Sequence, residues 1–466
     1  MQIPILNGIY ADAAPDFRTS YPKNLVPVPK QTGISAGYLR PADGVVEAGN
    51  GPGVGRGGIN WNGVLYRVMG TKFVSIAEDN TVTEIGDVGG TNRVTFDYGF
   101  TYLAIASNNN LFLYDGTTLT QVTDPDLGVV LDVVWVDGYY MTTDGEFLVI
   151  TDLADPFAVN PLKYGSSEAD PDPIEALLKL RNEVYALNRY TIEVFDNVGT
   201  TGFPFQRIAG AQIQKGAVGT HACCVFMDNI AFMGGGRNEA PSIFMGANGS
   251  TQKIATREIE QILATYTETQ LATAFLEERI DKAHQFLITH LPNHTLVFDG
   301  AATQAMGQPV WFTLSSTLTG DSQWKAQSVI WVYDKWQVYN PTNTQFGYLD
   351  DSISSHWGAD IGWEFGTQIT YNESNGAIFH QLELVALTGH VAADTSPTIW
   401  AQHSTDGETW SVEKPVRAGT LGQRAKRLVW LQQGYMNNWR IQRFRGTSDA
   451  HISISRLEAR LEPLAF

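Results

Sequence analysis

The stretch Trp61-Asn-Gly-Val-Leu-Tyr-Arg-Val68 contains the unit that decides the fold. Its Asn-Gly pair, a strong hairpin signal, leads directly into a short strand of β-branched and aromatic residues. The same design of short apolar strand, tight turn and second strand recurs to about residue 350. The turns are Trp61-Asn-Gly63, Tyr98-Gly-Phe100, Asp137-Gly138, Arg181-Asn182, Asp228-Asn229, Asp281-Lys282 and Asp334-Lys335.

Successive turns are separated by about 37 to 53 residues, and the separation grows along the chain. This period matches the blade of a β-propeller. One blade cannot bury both faces of its sheet, whereas a ring of blades can, and the ring leaves only short, protected edges. The sequence therefore predicts a propeller of six or seven blades over residues 56–358.

Two segments depart from this pattern. Residues 1–55 are rich in Pro, Gly and Asn and are expected to form an extended N-terminal arm. A short helical insertion is expected near residues 256–279, with Thr256 as its N-cap and a capping box at Thr267-Glu-Thr-Gln270. Such helices either contact a partner or fill a gap between blades.

The chain from residue 359 to residue 466 has the pattern of a different module, an antiparallel β-sandwich. The fold class predicted for the whole chain is therefore all-β. The alternating strands of this module are Gly366–Tyr371, Gln381–Val385, Thr398–Gln402, Arg427–Trp430, Trp439–Arg445 and Ile452–Ser455.

The composition narrows the classes of function. The 466 residues carry a formal net charge of −18, and acidic charge repels phosphate, so binding of nucleic acid through a basic patch is not expected. The only cysteines, Cys223 and Cys224, are adjacent, which indicates a reducing compartment. The N-terminus lacks the pattern of a signal peptide, and no apolar run approaches the roughly 20 residues needed to span a bilayer. We expect a protein made in the cytoplasm and not inserted into a membrane.

Several groups of residues carry chemistry in other proteins but have the wrong spacing here. The glycines of Gly51–Gly58 precede a hairpin, whereas a phosphate-binding loop precedes a helix. A metal site needs ligands that converge on one point. Three histidines lie around one strand and do not have such a spacing, namely His284, His290 and His294. A calcium-binding loop has its acidic ligands at alternate positions. Four aspartates do not follow this spacing, namely Asp152, Asp155, Asp170 and Asp172. No catalytic, cofactor-binding or metal-binding residue is predicted, and no residue is assigned to partner binding.

Ser404-Thr-Asp-Gly-Glu-Thr-Trp410 resembles the Asp-box turn of sialidases, with one residue missing from the usual spacing. Such a turn stabilises a hairpin and catalyses nothing. A sialidase also needs clustered arginines, and strand alternation places Arg440 and Arg443 on opposite faces. A carbohydrate-active propeller enzyme, such as a tail depolymerase, remains an alternative, as does a soluble protein-binding propeller.

Motifs along nearly the whole chain resemble the packaged-DNA stabilisation proteins, also called tail accessory or nozzle proteins, of short-tailed bacteriophages (podoviruses). The resemblance is densest over Ile288–Asp299 and continues in the Trp430, Gly434 and Arg443-Phe-Arg445 pattern. Earlier segments that contribute are Gly37–Pro41, Gly55–Gly57, Gly86–Gly90, Gln214–Gly216, Ala240–Ser242 and Ile254–Thr256. The resemblance covers about nine tenths of the chain.

This resemblance implies a structural, non-enzymatic virion protein of the tail, assembled in the host cytoplasm. It implies a homo-hexameric ring below the portal that closes the DNA channel after packaging and conducts DNA during ejection. The implied partners are further copies of the chain, the head-to-tail adaptor, the tail needle or plug, and tail fibres or spikes. No active site and no cofactor is carried over.

The net charge leads to a further hypothesis about the channel. Six copies together would carry six times −18, or −108, formal charges. A channel wall lined with acidic residues does not hold phosphate, so double-stranded DNA could slide through without specific binding. A lumen lined by Lys and Arg would contradict this hypothesis.

Overall fold

Seven antiparallel sheets follow one another along the chain in the computed structural model, which describes residues 2–6, 9–10, 19–30, 37–372, 375–391 and 395–464. Before the first sheet come strands β1 to β6: Gln2–Ile3, Ile9–Tyr10, Thr19–Ser20, Leu25–Pro29, Gly37–Pro41 and Gly44–Asn50.

Each of the first four blades is one four-stranded sheet. Blade 1 contains β7 to β10: Gly55–Trp61, Val64–Met69, Lys72–Ile76 and Val82–Asp87. Blade 2 contains β11 to β14: Thr95–Tyr98, Leu103–Ser107, Asn110–Tyr114 and Leu119–Gln121. Blade 3 contains β15 to β18: Asp132–Val136, Tyr139–Thr143, Phe147–Ile150 and Gly165–Ser166. Blade 4 contains β19 to β22: Ile174–Leu180, Glu183–Asn188, Ile192–Asn197 and Phe205–Arg207.

The last three blades differ from the first four by an extra strand, by inserted helices or by a strand taken from the N-terminal segment. Blade 5 has five strands, β23 to β27: Gly216–Ala217, Cys223–Phe226, Asn229–Gly235, Ser242–Ala247 and Ser250–Lys253. Blade 6 contains β28 to β31: Phe275–Asp281, His284–His290, Thr295–Asp299 and Trp311–Leu314. Blade 7 takes three strands from its own segment, β32 to β34: Gln327–Val332, Lys335–Tyr339 and Gln345–Asp350. Its fourth strand is β6, which pairs antiparallel with β34.

The first strands of the blades form a closed ring. Each contacts the first strand of the next blade, from β7 through β11, β15, β19, β24, β28 and β32, and β32 contacts β7. In blade 5 the strand counted as first is β24, because β23 is an additional short strand that also pairs with β25. The propeller predicted from the repeating turns is confirmed, and it has seven blades. Each of the seven predicted turns joins the first and second strands of its blade. Where these turns bend sharply the backbone adopts positive φ, as at Asn62 (φ 53°) and Gly63 (φ 78°).

The sandwich follows blade 7 and contains β35 to β43: Gly362–Gly366, Thr370–Tyr371, Ala377–Leu387, Thr398–Ser404, Lys414–Arg417, Leu428–Leu431, Tyr435–Met436, Trp439–Thr447 and Ser453–Pro463. One sheet has the order β35-β42-β38-β39, with β36 beside β42. The facing sheet has the order β4-β5-β43-β37-β40, with β1 beside β43 and β41 beside β37. Their shared core includes Phe365, Phe379 and Phe444, so the predicted sandwich is confirmed.

The N-terminal segment, expected to be an extended arm, is extended but does not run freely. Its strands β1, β4 and β5 belong to the sandwich, and β6 belongs to the propeller. The neighbouring residues Leu25 and Val26 of β4 point to opposite sides of the strand: Leu25 is buried in the sandwich core and Val26 in the core of blades 6 and 7. Strand β4 therefore joins the two domains. The boundaries at residues 55 and 358 remain predictions.

The predicted helical insertion is present as α1 (Arg257–Leu263) and α2 (Glu268–Leu271), and α3 (Gly300–Met306) follows β30. The insertion ends earlier than predicted, because Phe275 already begins the first strand of blade 6. Ile259 and Leu263 are buried in the core between blades 5 and 6, so the helices fill the space between these blades. In the described part of the chain, no helix is long and apolar enough to cross a bilayer.

Candidate functional site

The three histidines singled out in the sequence have separate partners. His284 Nδ1 lies 2.5 Å from Asp299 Oδ2, and His290 Nε2 lies 2.7 Å from Glu277 Oε1. His294 bonds the hydroxyl of Tyr266. Among the described residues, no group of three or more His, Cys, Asp or Glu side chains is placed to hold a metal ion. The three side chains therefore do not converge on one site.

The four aspartates whose spacing does not fit a calcium loop also have local partners. Asp152 forms an ion pair with Lys163 at 2.9 Å, and Asp170 with Arg237 at 3.0 Å. Asp155 accepts a hydrogen bond from the Phe157 amide, and Asp172 accepts from the amides of Tyr190 and Thr191. These carboxylates hold the loops of blades 3 and 4 in place.

The turn that resembles an Asp box has the bonding expected of a structural turn. Asp406 Oδ1 accepts hydrogen bonds from the backbone amides of Glu408 (3.0 Å) and Thr409 (2.8 Å). The Arg443 guanidinium lies 4.1 Å from the centre of the Trp410 ring. The turn therefore fixes the backbone after β38, and the Trp supports β42.

Arg440 lies on the opposite face of β42 from Arg443 and Arg445, as strand alternation predicts. Arg440 is buried, stacks on Phe379 of the facing sheet and donates to the Gln433 carbonyl at 2.5 Å. Burial lowers the pKa of this guanidinium to about 9. Arg445 instead forms a two-armed ion pair with Glu413 on the other face. Arg443 and Arg445 share that face, and each is already paired with a carboxylate of the chain, Arg443 with Glu364 and Arg445 with Glu413.

The cysteines and the glycine run have structural roles. Burial raises the pKa of both thiols, Cys223 and Cys224, well above its ordinary value, which keeps them protonated. The segment Gly51–Gly58 connects the outer strand of blade 7 to the inner strand of blade 1. A Cβ on Gly55 would lie 2.3 Å from the ring of Tyr339, so the absent side chain permits close packing between these blades.

A set of carboxylates that the sequence analysis missed links neighbouring blades. Asp97 accepts from the Trp135 amide at 2.5 Å, and Asp132 accepts from the Leu177 amide at 2.8 Å. Glu277 accepts from the Val329 amide at 2.7 Å. In each pair an acid on the first strand of one blade bonds the first strand of the next blade. Each of these acids lies in the first strand of its blade, but nothing in the neighbouring residues distinguishes it from a surface acid.

Asp132 is the most deeply buried of these acids. Burial raises its pKa to about 7, although hydrogen bonds from the amides of Leu177 and Val133 lower the pKa in part. Its neutral form is therefore well populated near neutral pH.

One arginine reaches across the end of the ring. Arg93 lies between blades 1 and 2, and its guanidinium contacts Phe275 of blade 6. It also donates to Gln327 Oε1 (2.6 Å) and the Tyr339 hydroxyl (3.1 Å) of blade 7. Since blades 2 and 6 are not neighbours, this side chain crosses the propeller axis where the first strands begin.

A cleft of about 870 Å³ lies beside α1 and blade 5. Its charged walls are joined in ion pairs, Lys215 with Glu239 and Lys253 with Glu260. On its rim, Glu268 pairs with Arg189. These pairs balance one another and do not select an ionic ligand.

Two family models match the chain in the order that the fold displays. The model described as "Bacteriophage P22 Gp10, beta-propeller" matches residues 1–354, and "Bacteriophage P22 Gp10, beta-sandwich" matches residues 362–462. The chain belongs to the bacteriophage P22 Gp10 family. The family resemblance read from the sequence is confirmed.

A curated relative in the P22 Gp10 family matches the full length. The tail hub protein gp10 of Salmonella phage P22 is 29% identical over 491 residues, which cover 99% of each chain. The chain with the present sequence is accordingly a structural protein of a phage tail.

Solved structures outside the P22 Gp10 family resemble the chain only distantly. The Pan2 WD40 domain of Neurospora crassa has a TM-score of 0.42 and 10% identity, covering 66% of this chain and 94% of that one. PorZ of Porphyromonas gingivalis has a TM-score of 0.41 and 11% identity, covering 65% of this chain and 37% of that one.

Proposed function

We propose that this tail protein forms a six-fold ring below the portal and its adaptor. The ring closes the DNA channel after packaging, retains the packaged DNA and later forms the conduit for ejection. The observation that carries the proposal is the match to a tail hub protein over 99% of both chains, through the propeller and the sandwich alike.

The fold suits a load-bearing, non-enzymatic part. The ring of blades is closed by β6, and inner-strand carboxylates join neighbouring blades, as at Asp132 and Glu277. A closed ring of blades leaves only short, protected sheet edges, which pressure cannot easily peel away. The proposed partners are other copies of the chain, the adaptor, the tail needle or plug, and fibres or spikes.

The net charge of −18 supports a conduit that DNA crosses without binding. Negative walls repel phosphates and weaken adhesion of the passing duplex. In a gel-shift assay at low salt, the assembled ring should not retain linear double-stranded DNA. Retention that disappears as salt is added would contradict an acidic lumen.

The main test uses DNA-filled heads that carry portal and adaptor but lack this protein. Addition of the purified chain should protect the packaged DNA from nuclease and leave six copies on each particle, counted by cryo-electron microscopy. Heads that bind the chain but still leak DNA would refute channel closure, and another copy number would refute the six-fold ring. Release of sugars from host polysaccharide by the chain alone would favour the carbohydrate-active alternative.

A further inference from the structure

One side of the propeller carries the turns that join the first and second strands of the blades. We call it the first-turn face, and it comprises residues 62–63, 99–101, 137–138, 181–182, 227–228, 282–283 and 333–334. Because the strands of each blade are antiparallel, the turns between third and fourth strands emerge on the same side.

Two exposed aromatic residues lie on the first-turn face, each packed against a half-buried tryptophan. Phe100, at the tip of the blade 2 turn, is 95% exposed, and its ring meets Trp135 of blade 3 edge to face at 5.4 Å. Trp331 is 49% exposed and lies 5.1 Å from Trp336 of the same blade. Isolated exposed apolar residues are common on proteins, but exposed aromatics that rest on further aromatics, grouped on one face, are typical of interaction sites.

The two aromatic pairs flank blade 1. The turn of blade 1 is only Asn62 and Gly63, and a Cβ on Gly63 would meet no atom within 4 Å. Asn60 of the same blade donates to the Trp331 carbonyl at 2.8 Å, which fixes the backbone that carries Trp331. The short turn therefore leaves space between two aromatic walls that the ring holds in place.

The charges around these aromatics are predominantly acidic. Acidic side chains in the turns of this face are Glu78, Asp79, Asp115, Asp137, Asp155, Asp196, Asp228, Asp334 and Asp351. The basic side chains there are fewer, and one of them, Lys282, is already paired with Asp351. A ligand for this face must therefore bring positive charge together with apolar groups.

The aromatic pairs already accept cations from the chain itself. Lys179 lies over the Trp135 ring at 4.9 Å, and Arg279 lies over Trp336 at 5.4 Å. Cation–π contact of this kind combines the two features of the face, because Lys and Arg can stack on the rings while the acids attract their charge.

We propose that the first-turn face is the docking surface for a basic segment with apolar anchors, supplied by a different protein of the tail. A second copy of this chain meeting it face to face would set acids against acids, so the occupant is another protein. This inference extends the proposed assembly function by naming one interface and its chemistry.

The first experiment places the photo-cross-linker p-benzoylphenylalanine at Phe100 or Trp331 in particles assembled with the full chain. Its control is the same label at Val412, an 85% exposed residue of the sandwich. We expect positions 100 and 331 to cross-link to a peptide of another virion protein that contains Lys or Arg beside apolar residues. Cross-links to another copy of this chain, to an acidic peptide, or to none in particles that contain the chain would overturn the proposal.

The second experiment measures incorporation into particles that lack the wild-type chain. Combined Phe100→Ser and Trp331→Ser, and separately combined Asp137→Lys and Asp334→Lys, should each reduce incorporation at least tenfold with an unchanged Tm. Val412→Ser should incorporate normally. Normal incorporation of both double variants would refute the docking surface. Channel closure is tested separately: it would be refuted if particles that contain the normal amount of wild-type chain still leaked DNA.

Discussion

The guanidinium carbon of Arg93 lies 3.6 Å from the centre of the Phe275 ring. The contact joins the link between blades 1 and 2 to the first strand of blade 6, and hydrogen bonds to Gln327 and Tyr339 extend it to blade 7. One side chain thus holds together blades that are far apart in the ring, at the end of the axis where the first strands begin.

Replacing Arg93 with Ala should destabilise the propeller. The variant loses a stacked cation and two hydrogen bonds, so we expect the free energy of unfolding to fall by about 1 to 4 kcal/mol. Arg93→Lys should be intermediate, because an ammonium keeps the charge but not the planar fork. Chemical denaturation gives the values. The control is Arg181→Ala in an exposed turn, and an equal loss for both alanine variants would contradict the bridging role.

Asp132 should make stability depend on pH in an unusual direction. Burial raises its pKa from an ordinary value of 3.8 to about 7, so between these values the folded state binds more protons than the unfolded state. The stability contributed by the neutral acid is full below about pH 4 and is lost as pH rises through 7. Asp132→Asn keeps an oxygen acceptor for the Leu177 amide without the ionisation.

The variant Asp132→Asn should therefore gain stability relative to wild type as pH rises, by roughly 1 to 3 kcal/mol between pH 5 and pH 8. Unfolding curves at the two pH values provide the measurement. The exposed Asp115 is the opposite case, because amide and hydroxyl hydrogen bonds from Thr118 and Thr117 lower its pKa. Asp115→Asn should be less stable than wild type near neutral pH, and this difference in the free energy of unfolding should shrink as pH falls. A stability difference for Asp132→Asn that stays constant with pH would show that Asp132 does not titrate in this range.

Leu25 and Val26 offer a test of the strand that joins the domains. Both are buried, Leu25 in the sandwich core and Val26 in the propeller core. Leu25→Ala should cost about 2 to 5 kcal/mol and Val26→Ala somewhat less, because each leaves a cavity. Hydrogen exchange should increase mainly in β37 and β43 for the first variant and mainly in blades 6 and 7 for the second. The same exchange pattern for both would mean that the two cores unfold as one unit.

Two threonines predicted to cap helices behave differently in the structure. Thr267 makes a complete capping box with Gln270, whereas the Thr256 hydroxyl makes no cap and lies 2.7 Å from the hydroxyl of Tyr21. Thr267→Ala should cost about 0.5 to 2 kcal/mol and increase hydrogen exchange in α2. Thr256→Ala should instead increase exchange around Tyr21. Faster exchange at the start of α1 alone would indicate that Thr256 is a cap after all.

The sequence predicts those features of the fold that are local. All seven first turns could be located, because turn chemistry such as Asn62-Gly63 is written in adjacent residues. The capping box at Thr267 is equally local. The number of blades stayed open between six and seven because insertions in the later blades obscure the period.

Features that depend on distant pairing could not be predicted. Nothing near Leu39 indicates that it lies opposite Ile454 in a sheet, because the partner is set by the closure of the whole chain. The inter-blade acid Asp132 and the axial Arg93 look like ordinary surface residues until the ring brings their partners close. Phe100 likewise appears in the sequence only as part of a turn, and nothing local indicates that it shares a face with Trp331.

Strand β1 also has a consequence for how the protein is made. Ile3 is synthesised long before its partner in the sheet, Leu457. Strand β6 of blade 7 likewise has no partner in its sheet until β34 has been synthesised. The propeller can therefore close once β34 has been made, whereas β1 finds its partner only when β43 follows, so a chain that stops between these two strands keeps the first closure and lacks the second. A polypeptide that lacks β43 cannot complete the sandwich sheet, so the topology itself selects against truncated subunits.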